Sequence, residues 1–198
     1  FAVLVLGLLS VGYNRLGGFL LGLAPAVHPS IGLWLILIVM IALLWKKDEK
    51  EKMKEVVRYG ILGLGVSAVS ALYQVVFVMD LPKVDYAIYR PYLTAFVTYW
   101  DVHRVKLPFV SKAMFANLGV LGLSILLLRQ KENAIFKKGE WLLRFFSIAC
   151  FMGITAVFIS WLPANYLPES LLALMPQRIL DFAPYALTPI LIGALSFQ

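Results

Sequence analysis

Residues 80–112 concentrate the side chains best suited to hold a phosphorylated ligand. Lys83, Arg90, Arg104, Lys106 and Lys112 stand there against Asp80, Asp85 and Asp101. Between them run Tyr86, Tyr89, Tyr92, Phe96, Tyr99, Trp100 and Phe109. Arginine grips phosphate with two parallel hydrogen bonds, and lysine holds it as a point charge. Aromatic rings can stack on a sugar or line an acyl chain. Arg90, Arg104 and Lys106 are therefore the candidate ligands for the phosphate of a lipid-linked anionic substrate. The same composition also suits an interfacial belt that anchors a loop at a membrane surface.

Trp100-Asp101-Val102-His103-Arg104 places a carboxylate and an imidazole two residues apart. On a helix those side chains point in nearly opposite directions, so they do not share a metal. Two ligands also fall short of the three that a catalytic zinc site takes from protein. His28, between Ala-Val and proline in another loop, is remote in sequence. No metal site and no cofactor is expected, and Asp101 remains the one candidate general base. Cys150 is the sole cysteine and lies inside an apolar run, which excludes an internal disulfide and reads as a small buried apolar residue.

A second cluster follows residue 162. Pro168 and Pro176 suit the openings of short helices. Arg178 and Asp181 are three apart, so on a helical turn they can pair. Alternatively, Arg178 faces a phosphate at the outer membrane surface, where a helix N-terminus adds its positive dipole. The stretch Met175-Pro176-Gln177-Arg178-Ile179-Leu180-Asp181-Phe182-Ala183-Pro184, running on through residues 185–195, resembles a late segment of polytopic GT-C-type membrane glycosyltransferases. Those proteins carry a Pro-x-Arg-aliphatic turn before a late span. The resemblance covers about an eighth of the chain. It implies transfer of a sugar from a polyprenyl-phosphate carrier on the outer face, with Arg178 near the carrier phosphate. The family's acidic catalytic motif lies in an early outer loop. Residues 25–30 contain no Asp or Glu, so the resemblance implies a catalytic part before Phe1 and a chain that is a portion of a larger protein.

The elements that must position these residues are long apolar runs at 31–45, 60–79, 114–128 and 142–162. A helix needs roughly 20 apolar residues to cross a hydrocarbon core of about 30 Å. Backbone in lipid must satisfy its own hydrogen bonds, so such runs are helices. Residues 1–24 read as one further, imperfect span whose Arg15 faces other protein. Residues 183–197, interrupted by Pro184 and Pro189, read as the last. The small residues Gly60, Gly63, Gly65, Ser67, Ala68, Ser70 and Ala71 suggest that the 56–79 helix is central, because small residues let helices approach closely in lipid. The expected architecture is an all-α polytopic transmembrane bundle of about six spans, forming one domain over 1–198. An amphipathic helix in the 80–112 loop lies in the outer interface. It starts near Pro91, with Thr94, Thr98 and Asp101 on one face and Tyr92, Phe96, Tyr99, Trp100 and His103 opposite.

The basic excess at 46–58 and 129–144 assigns both connections to the cytoplasm. The second has five basic residues, Arg144 included, against Glu132 and Glu140. The 198 residues are 61% hydrophobic and 15% charged, with mean hydropathy +0.84. A soluble domain carries about 25% charged residues. The net charge of +7 does not indicate nucleic acid, because the cations cluster where helices leave the apolar runs. Membrane lipids, a polyprenyl-phosphate-linked sugar and other membrane helices are the expected partners. The function expected is the membrane-embedded part of a lipid-linked-sugar glycosyltransferase. The alternatives are a transporter or flippase-like subunit and a non-catalytic assembly subunit. Beyond Arg15 and Gln74 the spans hold few polar groups for an ion path.

Overall fold

The computed structural model describes residues 1–45, 49–79, 85–96, 99, 106–129, 134–162, 167, 168, 171 and 174–186. All regular structure among them is helical. The order is α1 (Ala2–Ser10), α2 (Asn14–Val27), α3 (Pro29–Leu44), α4 (Lys50–Met79), α5 (Tyr86–Ala95), α6 (Lys112–Arg129) and α7 (Ala134–Ser160), followed by a 3₁₀ turn at Pro176–Asp181.

Three helical segments are long and apolar enough to cross a membrane: Lys50–Met79, Lys112–Arg129 and Glu140–Ser160. The expected six are not met among the described residues. The helix Pro29–Leu44 is also apolar but has only 16 residues. The expected last span falls outside the described residues beyond 186.

The first expected span is instead two helices. Gly12 adopts φ +90°, and the Tyr13 amide donates to the Leu8 carbonyl at 2.9 Å. That is a left-handed glycine cap, and it ends α1. The chain then folds back, with Leu9 against Gly17. Arg15 consequently sits at the start of α2, at one end of the bundle, and not inside a span. Its Nε donates to Glu55 Oε1 at 2.8 Å.

The turn from α2 to α3 is a single residue, His28. Its extended backbone breaks the helix, its Nδ1 accepts from the Ile31 amide at 3.4 Å, and Pro29 occupies the first helical position. Gly32 lies against the Ala24 and Pro25 backbone, so the two helices meet with no side chain between them.

Along α4, α2 runs parallel. A Cβ on Gly22 would collide with the Gly60 carbonyl, and one on Gly63 with the Phe19 carbonyl. Ser67 Oγ donates to the Gly22 carbonyl at 2.9 Å. Small residues thus permit the close approach expected of them, but α4 is not central. Protein covers only 11% of its apolar window, against 61% for α7. Tyr73, Phe77 and Met79 are exposed. The central helix is α7, whose Phe145 is fully buried with Trp141, Phe146 and Phe182 packed edge-on around it. Its hydroxyls bond within the helix: Ser147 donates to Leu143, Thr155 to Phe151 and Ser160 to Val157. Polar groups buried in an apolar core must be satisfied, and here the helix's own carbonyls do it.

Arg144 belongs to this core and not to a solvated connection. It is 2% exposed, donating to the Ala42 carbonyl at 3.1 Å and to Glu49 at 2.5 Å. These bonds bring the end of α3, the start of α4 and the first apolar turn of α7 to one end of the bundle. The opposite end gathers the starts of α3 and α6, the end of α7 and the 3₁₀ turn.

Candidate lipid-phosphate site

The 3₁₀ turn carrying Arg178 is pinned by three helices. Met175 precedes it at φ +47°, a left-handed conformation that reverses the chain, and Pro176 opens the turn. From α3, Trp34 Nε1 donates to the Leu174 carbonyl at 2.7 Å. From α6, the buried Asn117 donates to the Leu180 carbonyl at 3.2 Å. On α7, Gly153 leaves the space that Leu180 occupies; a Cβ there would lie 2.8 Å from Leu180 Cδ2.

A 3₁₀ helix turns once every three residues, so i and i+3 share a face. Pro176 and Ile179 form one face. They close an apolar crevice of about 170 Å³ with Trp34, Phe151, Ile159 and Leu171. Thr155 also lines it. Its hydroxyl is already bonded to the Phe151 carbonyl at 2.9 Å, so the crevice offers no free hydroxyl there. Arg178 and Asp181 form the adjoining face and pair at 3.1 Å, with side-chain exposures of 30% and 50%. The pairing read from their spacing is therefore present. It is half-exposed, and such pairs contribute only about 0–1 kcal/mol, so a phosphate can compete with Asp181 for the guanidinium.

The cationic cluster of residues 80–112 is described only in part. Lys106 holds its ammonium 5.7 Å from the centre of the Trp161 ring. Trp161 Nε1 donates to the Leu107 carbonyl at 2.9 Å, and Phe109 stacks on both Phe158 and Trp161. These rings are exposed at the end of α7, the arrangement of an aromatic belt. Lys106 thus makes a cation–π contact with this group of rings. Arg90 lies within α5; Asp101 and Arg104 lie outside the described residues. α5 begins earlier than Pro91. Asp85 Oδ1 accepts from the Ala87 amide at 2.9 Å and starts the helix, leaving Pro91 inside it. Tyr92 and Phe96 stack at 6.2 Å on one face, as their spacing requires; residues 97, 98 and 100–105 lie outside the described residues.

Among the described residues, no three His, Cys, Asp or Glu side chains gather as metal ligands would. Trp34, Asn117 and Arg144 were not legible as functional or structural polar residues from sequence. The only signal for Arg144 is its place one turn inside an apolar run. Comparison with protein-family models, with curated proteins and with solved structures finds no match.

Proposed function

We propose that this chain is a multi-pass, membrane-embedded helical unit that holds a lipid-linked phosphorylated ligand, and that it serves a glycosyltransferase using a polyprenyl-phosphate-linked sugar. One observation carries this reading: a single turn, Pro176–Asp181, presents an apolar crevice on one face and an arginine side chain, 30% exposed, on the next. A prenyl chain would occupy the crevice, and the carrier phosphate would exchange with Asp181 at Arg178. In this reading residues 46–58 and 129–144 face the cytoplasm, α5 lies in the outer interface, and the Phe109–Trp161 belt marks the outer headgroup layer.

Titration of the detergent-solubilised chain with farnesyl phosphate tests it. Arg178→Ala should weaken binding about tenfold, the worth of one charge-assisted hydrogen bond. Ala156 also lines the crevice, and Ala156→Phe, which fills it, should weaken farnesyl phosphate while leaving Arg178 in place. Unchanged affinity in both variants would remove the site.

A second reading has its own observation. The uncovered apolar face of α4, including Val69, Leu72, Val76 and Met79, suits a subunit that assembles with other membrane helices, as a transporter, flippase-like or non-catalytic partner. Full farnesyl phosphate affinity in Arg178→Ala, together with co-purification of a partner lost on α4 substitution, would favour it.

A further inference from the structure

The opposite end of the bundle holds a polar recess that the carrier reading does not use. It encloses about 410 Å³ between the first turns of α2 and α4. Arg15, Lys52, Lys54 and Arg58 line it against Glu51 and Glu55, with Asn14 and Tyr59 completing the wall. The cations outnumber the carboxylates by two.

Both carboxylates are already engaged. Glu55 accepts from Arg15 Nε at 2.8 Å and from Asn14 Nδ2 at 3.2 Å. Glu51 accepts from Lys54 at 2.6 Å. Lys52 is drawn toward Glu49 at 3.6 Å and the Trp141 ring at 4.6 Å. What remains is positive. Arg15 spends only Nε on Glu55, and its side chain stays 72% exposed. The hydrogen bond to Glu55, and then Tyr59, raise its pKa above the ordinary guanidinium value, so it stays charged. Arg58 is exposed and enters no ion pair among the described residues. The N-terminal cap of α2, Tyr13, contributes no side-chain hydrogen bond, so the positive end of that helix also faces the recess.

Depth decides which anion meets these groups. Residues 60–79 of α4, at about 1.5 Å each, measure about 30 Å, the thickness of a hydrocarbon core. Arg58 and Tyr59 therefore stand at the boundary, in the layer of headgroup phosphates, and Arg15 beside them. Trp45, exposed at the end of α3, belongs to the same end.

We propose that this recess binds the phosphate of an anionic lipid headgroup, with Arg15 and Arg58 as its ligands. The site is separate from Arg178 and stands whether or not the carrier reading holds.

The test uses the whole chain in uncharged detergent, with binding followed by native mass spectrometry. Dioleoyl phosphatidylglycerol, dioleoyl phosphatidylcholine and inorganic phosphate are the three probes. Phosphatidylglycerol should bind, and phosphatidylcholine should bind on the order of tenfold more weakly, since its choline opposes the positive recess. Arg58→Gln removes an unpaired exposed cation without disturbing the fold and should cost several-fold in affinity for phosphatidylglycerol. Adding Arg15→Gln should reduce it to the phosphatidylcholine level. Lys112→Gln at the far end and Arg178→Ala should leave it unchanged. Full affinity in the double variant, or equal binding of the two lipids, overturns the proposal. Inorganic phosphate that displaces phosphatidylglycerol at equal concentration overturns the assignment to a lipid.

Discussion

The residue that most changes meaning between chain and structure is Arg144. As a letter it is one more cation beyond a basic connection. In the fold it is a buried three-way tie: α7 supplies the guanidinium, α3 the Ala42 carbonyl and the approach to α4 the Glu49 carboxylate. Glu140, one turn away, lies 3.9 Å from Nε. Removing the guanidinium leaves Glu49 with Lys52, 3.6 Å away, and forfeits a charge-assisted hydrogen bond, at a cost of about 1.5–3 kcal/mol. Arg144→Ala should lower unfolding stability in detergent by that amount. Arg144→Lys should recover only part, because one ammonium cannot reproduce the planar fork that reaches both oxygens. Equal stability of the wild type and Arg144→Ala would show that the tie contributes nothing. Arg178 is the contrast: its ion-pair partner Asp181 is on the same turn and half-exposed, so that pair, unlike the Arg144 tie, contributes little to stability.

At the scale of elements, the seam between α2 and α4 decides the packing. Two backbones meet where Gly22 and Gly63 have no side chain, and Ser67 adds a hydrogen bond across it. Gly63→Leu drives a side chain into the Phe19 carbonyl, and backbone cannot step aside as a flexible side chain does. The expected loss is at the upper end of overpacking costs, about 3 kcal/mol. Gly65, two residues on, meets open space, and Gly65→Ala should stay within about 1 kcal/mol of wild type, on the stable side. Denaturant unfolding of the two variants side by side checks both statements. A similar loss at Gly65 would mean that the exposed face of α4 is covered by something else in the folded protein.

For the whole molecule, the ends of the bundle are the testable quantity. Arg144 ties Glu49 and Ala42 together at one end, while Trp161 binds Leu107 at the other. Lys50 and Lys112, the first residues of α4 and α6, therefore lie at opposite ends. In sealed vesicles, a membrane-impermeant maleimide added outside should label only one of Lys50→Cys and Lys112→Cys. The native Cys150, fully buried, should stay silent. Labelling of both from the same side would refute the arrangement of α4, α6 and α7 across a bilayer.

Hydropathy alone determined that these runs are helices, because lipid leaves a backbone no alternative hydrogen-bonding partner; that three, where about six were expected, are long and apolar enough to cross a membrane came from the helix bounds of the structure. The i,i+3 spacing of Arg178 and Asp181 was equally local, and so was their pairing. Three things were decided only by tertiary contact. Gly12 broke the first run because its left-handed φ closes a cap, whereas the same glycine in another setting continues a helix. α4 fell at the edge and α7 at the centre, since small residues license close packing without saying on how many sides it happens. Arg144 went inside, because a charge is buried when partners from distant parts of the chain arrive to meet it, and one-dimensional spacing carries no record of them.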